Sequence, residues 1–258
     1  MWPLAQIPTC DSTQNWAFAQ ISADPEKACF AGYTLAQTAG VGRQGHAWLD
    51  SGQGLALSLG WPETDLLRGW PAWVSLAVVE ALTALYGPLA GAIGLKWPND
   101  LMLQGRKLGG VLVHQKRVHD RSWLVAGIGL NLRWVVPPPP DLLAIDLFSV
   151  LAKPIDAGPL AEAIADRCAQ AIGHPAPQQW AERFYGRDVF RGQEVCLRGP
   201  QGSLGRHAPA GQESGVAVVG TYRSIDAEGR IGIQTTEGLQ FFSLGEVSLR
   251  QARRDARG

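Results

Sequence analysis

Residues 96–110 read Lys-Trp-Pro-Asn-Asp-Leu-Met-Leu-Gln-Gly-Arg-Lys-Leu-Gly-Gly. This stretch concentrates three cations, one carboxylate and two amides between two apolar runs. Pro98 fixes its own φ and favours an extended Trp97, so we predict that a strand ends here. The two glycines at the end of the stretch allow a backbone or a ligand to come close where the next strand begins. Lys107 is therefore expected at a strand mouth, where converging cations and a carboxylate suit a phosphate ester and its metal.

Around this stretch, the apolar pattern predicts a sheet backed by helices. Apolar residues recur at helical spacing between Pro71 and Gly87, which are well placed to begin and end a helix. Strand-like runs lie on both sides of the polar stretch. The predicted strands span 31–36, 55–59, 93–97, 108–114 and 123–128, and the predicted helices span 14–21, 71–86, 160–172 and a short segment around 180–184.

The sequence pattern changes from Val189 onward. Alternating apolar residues are separated by turns at 226–229 and 237–238, which is typical of short antiparallel strands. We therefore predict an α+β protein with two domains. Residues 1–187 would form a mixed sheet backed by helices, and residues 188–258 a small C-terminal β-barrel.

Charge and composition exclude several classes of protein. Twenty-three basic residues balance 23 acidic ones, so the net charge predicts neither a nucleic-acid nor a membrane partner. The four cysteines show no paired spacing, which indicates a reduced, cytoplasmic location. The first residues lack a leader pattern and no segment is long enough to span a bilayer, so a soluble protein is expected. The five histidines show no metal-ligand spacing.

A glycine-rich loop follows the strand predicted at 31–36. Residues 40–45 match the Gly-x-Gly-x-x-Gly pattern of dinucleotide-binding folds. That pattern needs a helix to begin in its second half, whereas residues 46–54 contain too many turn formers, so we reject a dinucleotide site. Arg43 and free backbone N–H groups could wrap a phosphate or a carboxylate, and a flexible surface loop with a solvated arginine is the alternative.

The stretch 96–110 closely resembles the signature of the biotin protein ligases, the enzymes that attach biotin to carboxylase subunits. Segments 220–226 and 245–250 also resemble the small β-barrel of that family. The resemblance implies a class II synthetase-like catalytic domain followed by the barrel. It further implies that biotin and ATP form biotinyl-5′-AMP, with Mg²⁺ as cofactor, and that biotin passes to a lysine of the biotin carboxyl carrier protein of acetyl-CoA carboxylase.

The resemblance also assigns site residues. Lys107 and Arg43 would be catalytic, and Asp100 would contact Mg²⁺ directly or through water. The biotin-binding positions would be Ser12, Thr13, Gln14, Gln37, Val41, Gly42, Arg43, Lys107 and Gly127, and the nucleotide-binding positions Trp48, Lys96, Asn99, Asp100 and Asn131. Without the resemblance, Ser12 and Thr13 would be helix caps, and the strand that holds Gly127 and Asn131 would be a buried strand.

Three positions depart from the pattern of the family. Gln14 stands where the family has Asn, and Val41 and His46 stand where its glycine-rich loop usually has Arg. Arg43 would then carry the cationic role of the loop alone. We expect retention of the adenylate to be weaker than in the family or to rely on backbone groups.

Three alternative functions are disfavoured. A lipoate or octanoate transferase of the same superfamily would not carry the biotin-type sequence at 96–110 or the C-terminal barrel. A biotin-responsive DNA-binding repressor would need a helix-turn-helix domain, whereas only eleven residues precede Ser12, so we expect no DNA partner. A carrier-binding module without catalysis is opposed by Lys107, Asp100 and Arg43. Edge strands of the sheet could pair between two copies of the chain, which leaves a homodimer open.

Overall fold

The computed structural model describes residues 2–42, 47–48, 52–63, 69–89, 91–139, 142–173, 177–199, 216–243 and 248–251. The strands are β1 (Leu4–Gln6), β2 (Phe30–Thr34), β3 (Gly52–Pro62), β4 (Ile93–Lys96), β5 (Asp100–Leu103), β6 (Arg106–Val118), β7 (Arg121–Trp134), β8 (Glu194–Gly199), β9 (Val216–Ile225), β10 (Ile231–Thr235), β11 (Gly238–Phe242) and β12 (Ser248–Gln251). The helices are α1 (Thr13–Ala23), α2 (Trp70–Leu85), α3 (Leu147–Leu151), α4 (Ala157–Gly173) and α5 (Pro177–Arg187).

Seven strands form a mixed sheet in the order β1-β2-β3-β7-β6-β5-β4. The pair β1–β2 is parallel and the other pairs are antiparallel. The two longest strands, β6 and β7, lie next to each other near the middle and turn at His119 and Asp120, as predicted. This confirms the predicted mixed sheet.

The sheet is covered on both faces, because successive side chains of its buried strands belong to two different hydrophobic clusters. In β7, Trp123 and Val125 pack with Ala17 and Ile21 of α1. The intervening residues of β7 belong instead to the larger core, which also contains the buried faces of α2, α4 and α5. Successive side chains of a strand point to opposite faces, so α1 lies on one face of the sheet, and α2, α4 and α5 lie on the opposite face.

The polar stretch 96–110 folds as two tight turns and a strand. Strand β4 ends at Lys96, as Pro98 predicted, and the chain returns at once as β5. Strand β5 was not predicted, although Leu101 and Leu103 are buried at alternate positions. Gln104 (φ 50°) and Gly105 (φ 72°) then adopt left-handed conformations and lead into β6. Hairpin pairing therefore brings both halves of the stretch to the same end of the sheet.

The C-terminal residues form a second, five-stranded antiparallel sheet in the order β11-β10-β9-β8-β12. This confirms the predicted small β unit. Closure into a barrel would need β11 to pair with β12, and the pairings seen among the described residues do not include that one. The boundary predicted at residue 187 coincides with the end of α5 and stays a prediction. Within the ranges given above, no helix is both long and apolar enough to cross a membrane.

Candidate active site

A cavity of about 290 Å³ opens over the central strands of the seven-stranded sheet, beside the first turn of α1. Its walls come from the start of α1, the glycine-rich loop, and strands β3, β5, β6 and β7. The lining residues are Ser12, Thr13, Gln14, Gln37, Val41, Gly42, Ala47, Trp48, Ala56, Asn99, Asp100, Lys107, Gly110, Val111, Leu112, Gly127, Ile128 and Gly129. Eleven of the residues that the family resemblance assigned therefore meet in one space.

One end of the cavity is cationic. Lys107 Nζ lies 2.6 Å from Asp100 Oδ1, and Lys96 Nζ lies 4.0 Å from Asp100 Oδ2. Two ammonium groups thus share one carboxylate, which leaves an excess of positive charge beside the cavity. Such an arrangement attracts an anionic ligand group such as a phosphate or a carboxylate. Lys107 also lies 5.8 Å from the centre of the Trp48 ring.

The main chain of Lys107 is held by the segment that precedes α3. Its N–H donates to the Leu143 carbonyl (2.7 Å), and its carbonyl accepts from Ile145 N–H (3.0 Å). The buried Asn131 amide donates to the Ile145 carbonyl (3.1 Å). The structure therefore places Asn131 behind Lys107, and Asn131 is not among the described residues that line the cavity. Its predicted contact with the nucleotide stays a prediction.

Asn99 joins the cavity wall to the sheet. Its side-chain amide donates to the Val111 carbonyl (2.6 Å), and its own carbonyl accepts from Val111 N–H (3.0 Å). These two bonds fix the turn between β4 and β5 against β6, directly beside Asp100. Lys96 contacts Asp100 from outside the set of described lining residues and lies 5.9 Å from the Phe190 ring centre.

The opposite end of the cavity offers neutral hydrogen-bonding groups at the start of α1. Ser12 is the N-cap and accepts from Gln14 N–H (3.3 Å), so its capping role is confirmed. Thr13 N–H donates to Gln37 Oε1 (2.9 Å), and Ser58 Oγ donates to Thr13 Oγ1 (2.9 Å). Asp11, the residue before the N-cap, accepts hydrogen bonds from the Asn15 side chain and from Ser12 N–H. These bonds lower the pKa of Asp11 and hold the chain at the start of α1.

Glycines in β7 let two large side chains lie flat on the strand. A Cβ on Gly127 would lie 2.8 Å from Gln14 Cδ, and a Cβ on Gly129 would lie 2.8 Å from the Trp48 indole. The Gln14 amide donates to the Leu112 carbonyl (2.9 Å), which turns this longer side chain along the cavity floor. Close approach is thus the physical reason for both glycines.

The glycine-rich loop begins at the cavity. Val41 and Gly42 line it, Val41 pairs with Ala47, and Trp48 N–H donates to the Gly40 carbonyl (2.9 Å). The predicted catalytic Arg43 and the substituted His46 lie outside the described residues. Downstream, Gly52–Pro62 form a strand, whereas a dinucleotide fingerprint would need a helix.

Sequence reasoning missed several lining residues. Ala56, Val111, Leu112, Ile128 and Gly129 line the cavity because they border predicted site residues on neighbouring strands. Ser58 was missed as the partner of Thr13, and it is fully buried. Its signal was a lone hydroxyl in the apolar run Leu55–Leu59, where a buried polar group needs a partner.

Comparisons of the sequence with known proteins point to one family. A sequence model of the biotin/lipoate A/B protein ligase family matches residues 7–131. The biotin--[acetyl-CoA-carboxylase] ligase of Mycobacterium tuberculosis is 30% identical over 223 residues, which are 82% of this chain and 75% of that protein. The bifunctional ligase/repressor BirA of Escherichia coli is 36% identical over 135 residues, which are 50% of this chain and 40% of that protein.

The fold has close counterparts among solved structures. The biotin protein ligase of Aquifex aeolicus, solved in complex with biotin and ATP, superposes with a TM-score of 0.74 at 24% identity. The superposition covers 98% of this chain and 100% of that one, so both sheets have counterparts there. Together with the length and identity of the match to the mycobacterial protein, this places the chain among the biotin protein ligases of the biotin/lipoate A/B protein ligase family.

Proposed function

We propose that this protein activates biotin with ATP as biotinyl-5′-AMP and transfers the biotinyl group to a lysine of the biotin carboxyl carrier protein of acetyl-CoA carboxylase. The observation that carries the proposal is a single cavity with a neutral hydrogen-bonding end and a cationic end. Biotin has the matching form, because its ureido ring is neutral and polar and its other end is a carboxylate.

The neutral end favours biotin over an unsubstituted acyl chain. Ser12, Thr13 and Gln37 present hydroxyl and amide groups toward the cavity. A ureido ring can use the hydrogen-bonding capacity that these groups keep beyond their bonds within the protein, whereas the end of an octanoyl chain would leave that capacity unsatisfied. Unpaired buried polar groups cost about 1–3 kcal/mol each, so the polar end discriminates against octanoate and lipoate.

The cationic end suits activation of a carboxylate. A carboxylate does not acylate an amine at neutral pH, because the leaving group would be oxide. Attack by a biotin carboxylate oxygen on the α-phosphorus of ATP forms a P–O bond and breaks the bond to the β-phosphate bridge, which releases pyrophosphate. We assign Lys107 to stabilise the negative charge that develops on the α-phosphate.

The donor set of the site fits Mg²⁺ bound together with ATP. Asp100 supplies a carboxylate beside the cavity, and the described residues hold no cluster of three or more His, Cys, Asp or Glu side chains that could form a metal cage. Mg²⁺ is commonly held by one or two carboxylates plus substrate phosphates, which is what this site offers. Asp100 would hold the ion, and the ion would supply neutralisation of phosphate charge.

The second half-reaction needs an amine from outside the chain. The acceptor lysine attacks the carbonyl of the mixed anhydride, the C–N bond forms, and AMP leaves with the bonding electrons. Val41, Gly42 and Trp48 cover one side of the cavity, and we assign the loop, including Arg43, to retain the adenylate. A reaction that uses ATP and a carboxylase subunit fits the cytoplasmic location that the cysteine pattern predicts.

The test is biotin-dependent exchange of labelled pyrophosphate into ATP by the purified protein. We expect exchange with biotin and none with octanoate or lipoate. A second assay follows the incorporation of labelled biotin into an isolated biotin carboxyl carrier domain and into a variant of that domain without its acceptor lysine. Only the unmodified carrier should be labelled.

The outcomes separate the competing functions. Exchange with lipoate or octanoate alone would move the protein to the lipoate branch of the family. Exchange with biotin but no transfer to the carrier would support the formation of biotinyl-5′-AMP and overturn the proposed acceptor. Biotin binding without exchange would favour a binding module.

A further inference from the structure

The buried carboxylate of Asp188 joins the two sheets of the molecule. Asp188 follows α5, is 6% exposed, and pairs in parallel with Leu95 of β4. Val189 N–H donates to the Leu95 carbonyl (2.8 Å) and stabilises the same contact between the two segments. Among the described residues, no Lys or Arg lies within ion-pair distance of this carboxylate. A buried carboxylate needs hydrogen bonds to compensate for the loss of water.

Three donors from three different segments supply those hydrogen bonds. Trp97 N–H donates to Asp188 Oδ2 (3.1 Å) from the turn between β4 and β5. Phe190 N–H donates to Oδ1 (2.9 Å) from the adjacent chain, and the Tyr222 hydroxyl donates to Oδ2 (3.3 Å) from β9. One side chain therefore connects the seven-stranded sheet, the segment after α5 and the C-terminal sheet.

The side chain of Trp97 forms a second connection at the same place. Its indole N–H donates to the Gly229 carbonyl (3.0 Å) in the turn between β9 and β10. Trp97 is 1% exposed, so neither of its N–H groups can bond to bulk water instead. Trp97 is therefore connected to the C-terminal sheet twice. Its backbone N–H bonds to Asp188, which accepts from Tyr222 of β9, and its indole bonds to Gly229.

The residues next to Trp97 belong to the cationic end of the site, where Asn99 and Asp100 line the cavity and Lys96 contacts Asp100 from outside it. Lys96 precedes it, Asn99 follows by two positions, and Asp100 carries the carboxylate that contacts Lys107 at 2.6 Å. A displacement of about 1 Å at a reacting centre can cost on the order of 100-fold in rate. A shift in the position of Trp97 would therefore displace Asp100 and Lys96.

We propose that Asp188 is a positioning residue, whose carboxylate and the Gly229 carbonyl together fix the turn from Trp97 to Asp100 for the ATP half of the reaction. This inference rests on the proposed biotin ligase function. It assigns to the C-terminal sheet a direct part in the geometry of the nucleotide side of the cavity. The neutral end, around Ser12 and Gln37, has no described contact with this network.

The test separates the two ends of the cavity by kinetics. In the full-length protein, Asp188→Asn replaces an acceptor oxygen by an amide donor, and Trp97→Phe removes the bond to Gly229. We expect biotin binding measured by calorimetry without ATP to stay within about twofold of the unmodified protein. In pyrophosphate exchange, the KM for ATP should rise or kcat should fall by about tenfold or more, whereas the KM for biotin should change little.

The matched control is Glu80, a carboxylate that forms ion pairs between helices and does not line the cavity. Glu80 of α2 pairs with Arg167 of α4 at 3.1 Å and with Arg183 of α5. Glu80→Gln should lower thermal stability and leave the KM for ATP unchanged. If Asp188→Asn does not fold, Tyr222→Phe removes only the 3.3 Å bond and carries the test.

Each outcome decides the matter. A folded Asp188 or Tyr222 variant with unchanged ATP kinetics would overturn the positioning role and leave the ligase function standing. Equal losses in biotin and ATP parameters would indicate a purely structural role and also overturn it. No biotin-dependent exchange by the unmodified protein would overturn the ligase function, and the positioning role with it.

Discussion

Lys107 is the residue on which the proposed chemistry depends most directly. Its ammonium lies 2.6 Å from Asp100 and beside the cavity, and its side chain is 36% exposed. Lys107→Ala should lower biotin-dependent pyrophosphate exchange by about 100-fold or more, because a charge that stabilises the transition state is lost. The half-exposed side chain contributes little to packing, so thermal unfolding should shift only slightly.

Lys116 provides the matched control on the same strand. It is an exposed lysine of β6 that lies 5.2 Å from the Phe18 ring centre and does not line the cavity. Lys116→Ala should retain full exchange activity. Normal exchange by the Lys107 variant would remove that residue from the catalytic role.

Ser58 should act on biotin through Thr13. Its hydroxyl is fully buried and donates to Thr13 Oγ1, which orients the threonine at the neutral end of the cavity. Loss of one buried hydrogen bond costs about 1 kcal/mol, so Ser58→Ala should raise the KM for biotin by about fivefold while kcat changes little. Ser75→Ala removes an equally buried hydroxyl, which bonds to the Pro71 carbonyl inside α2, and should leave the KM for biotin unchanged. Equal effects of the two substitutions would contradict the role of Ser58.

At the scale of an element, β7 works as a platform because its glycines carry no side chain. A methyl group on Gly129 would lie 2.8 Å from the Trp48 indole, so Gly129→Ala must displace that ring. We expect exchange activity to fall by about 10- to 100-fold, since Trp48 borders Lys107. Circular dichroism should show an intact fold.

Gly186 offers a control because a Cβ there would meet open space. Gly186→Ala lies inside α5 and should raise the free energy of unfolding by up to about 1 kcal/mol through helix propensity. Its activity should stay normal. Full activity of the Gly129 variant would show that the position of Trp48 is unimportant.

At the scale of the whole molecule, the junction of the two sheets should make stability depend on pH. Burial raises the pKa of Asp188 to about 7, although hydrogen bonds from Phe190, Trp97 and Tyr222 and the charge of Lys96 oppose this shift. Burial also raises the pKa of Tyr222 well above its ordinary value, so this phenol stays neutral in the same range. Tyr185 contacts Tyr222 through its ring and donates its hydroxyl to the Tyr222 carbonyl (3.2 Å).

The sign of the pH effect follows from the raised pKa. An Asp in the unfolded chain titrates at about pH 3.9, so between that value and about 7 the folded protein keeps a proton that the unfolded chain has lost. The contribution of Asp188 is therefore full below the lower value and is lost as the pH rises toward 7. Urea titrations at several pH values should show this decline, and Asp188→Asn should show less of it. Identical slopes in both proteins would contradict the assignment.

The secondary structure of the catalytic half was largely predictable because its signals are local. Pro71 and Gly87 bracket α2, and the apolar runs predicted as strands form strands. The predictions failed where long-range pairing makes the element. β1 has three residues and exists by pairing with β2, and β5 by pairing with β4 and β6. Short strands carry too few residues for a periodic signal, and the sheet supplies their stability.

The candidate site divides in the same way. Asp100 and Lys107 were identified from a short motif, because charged residues at close spacing indicate a ligand, whereas the family resemblance assigned Ser12, Thr13 and Gln14 to the site. Ser58 and Asp188 lie 45 and 91 residues from their partners Thr13 and Trp97. No local pattern can report such a pairing, since each residue alone is an ordinary serine or aspartate.

By itself, the sequence determined the elements, the polar stretch 96–110 and the residues of its chemistry, because all of these are encoded in neighbouring positions. Only the tertiary structure decided that Asp100 pairs with Lys107, that Asn131 turns toward the segment beside Lys107, and that Asp188 joins Trp97 to the C-terminal sheet. These arrangements follow from strand register and burial. Register sets which distant side chains meet, and burial obliges each polar group to find a partner.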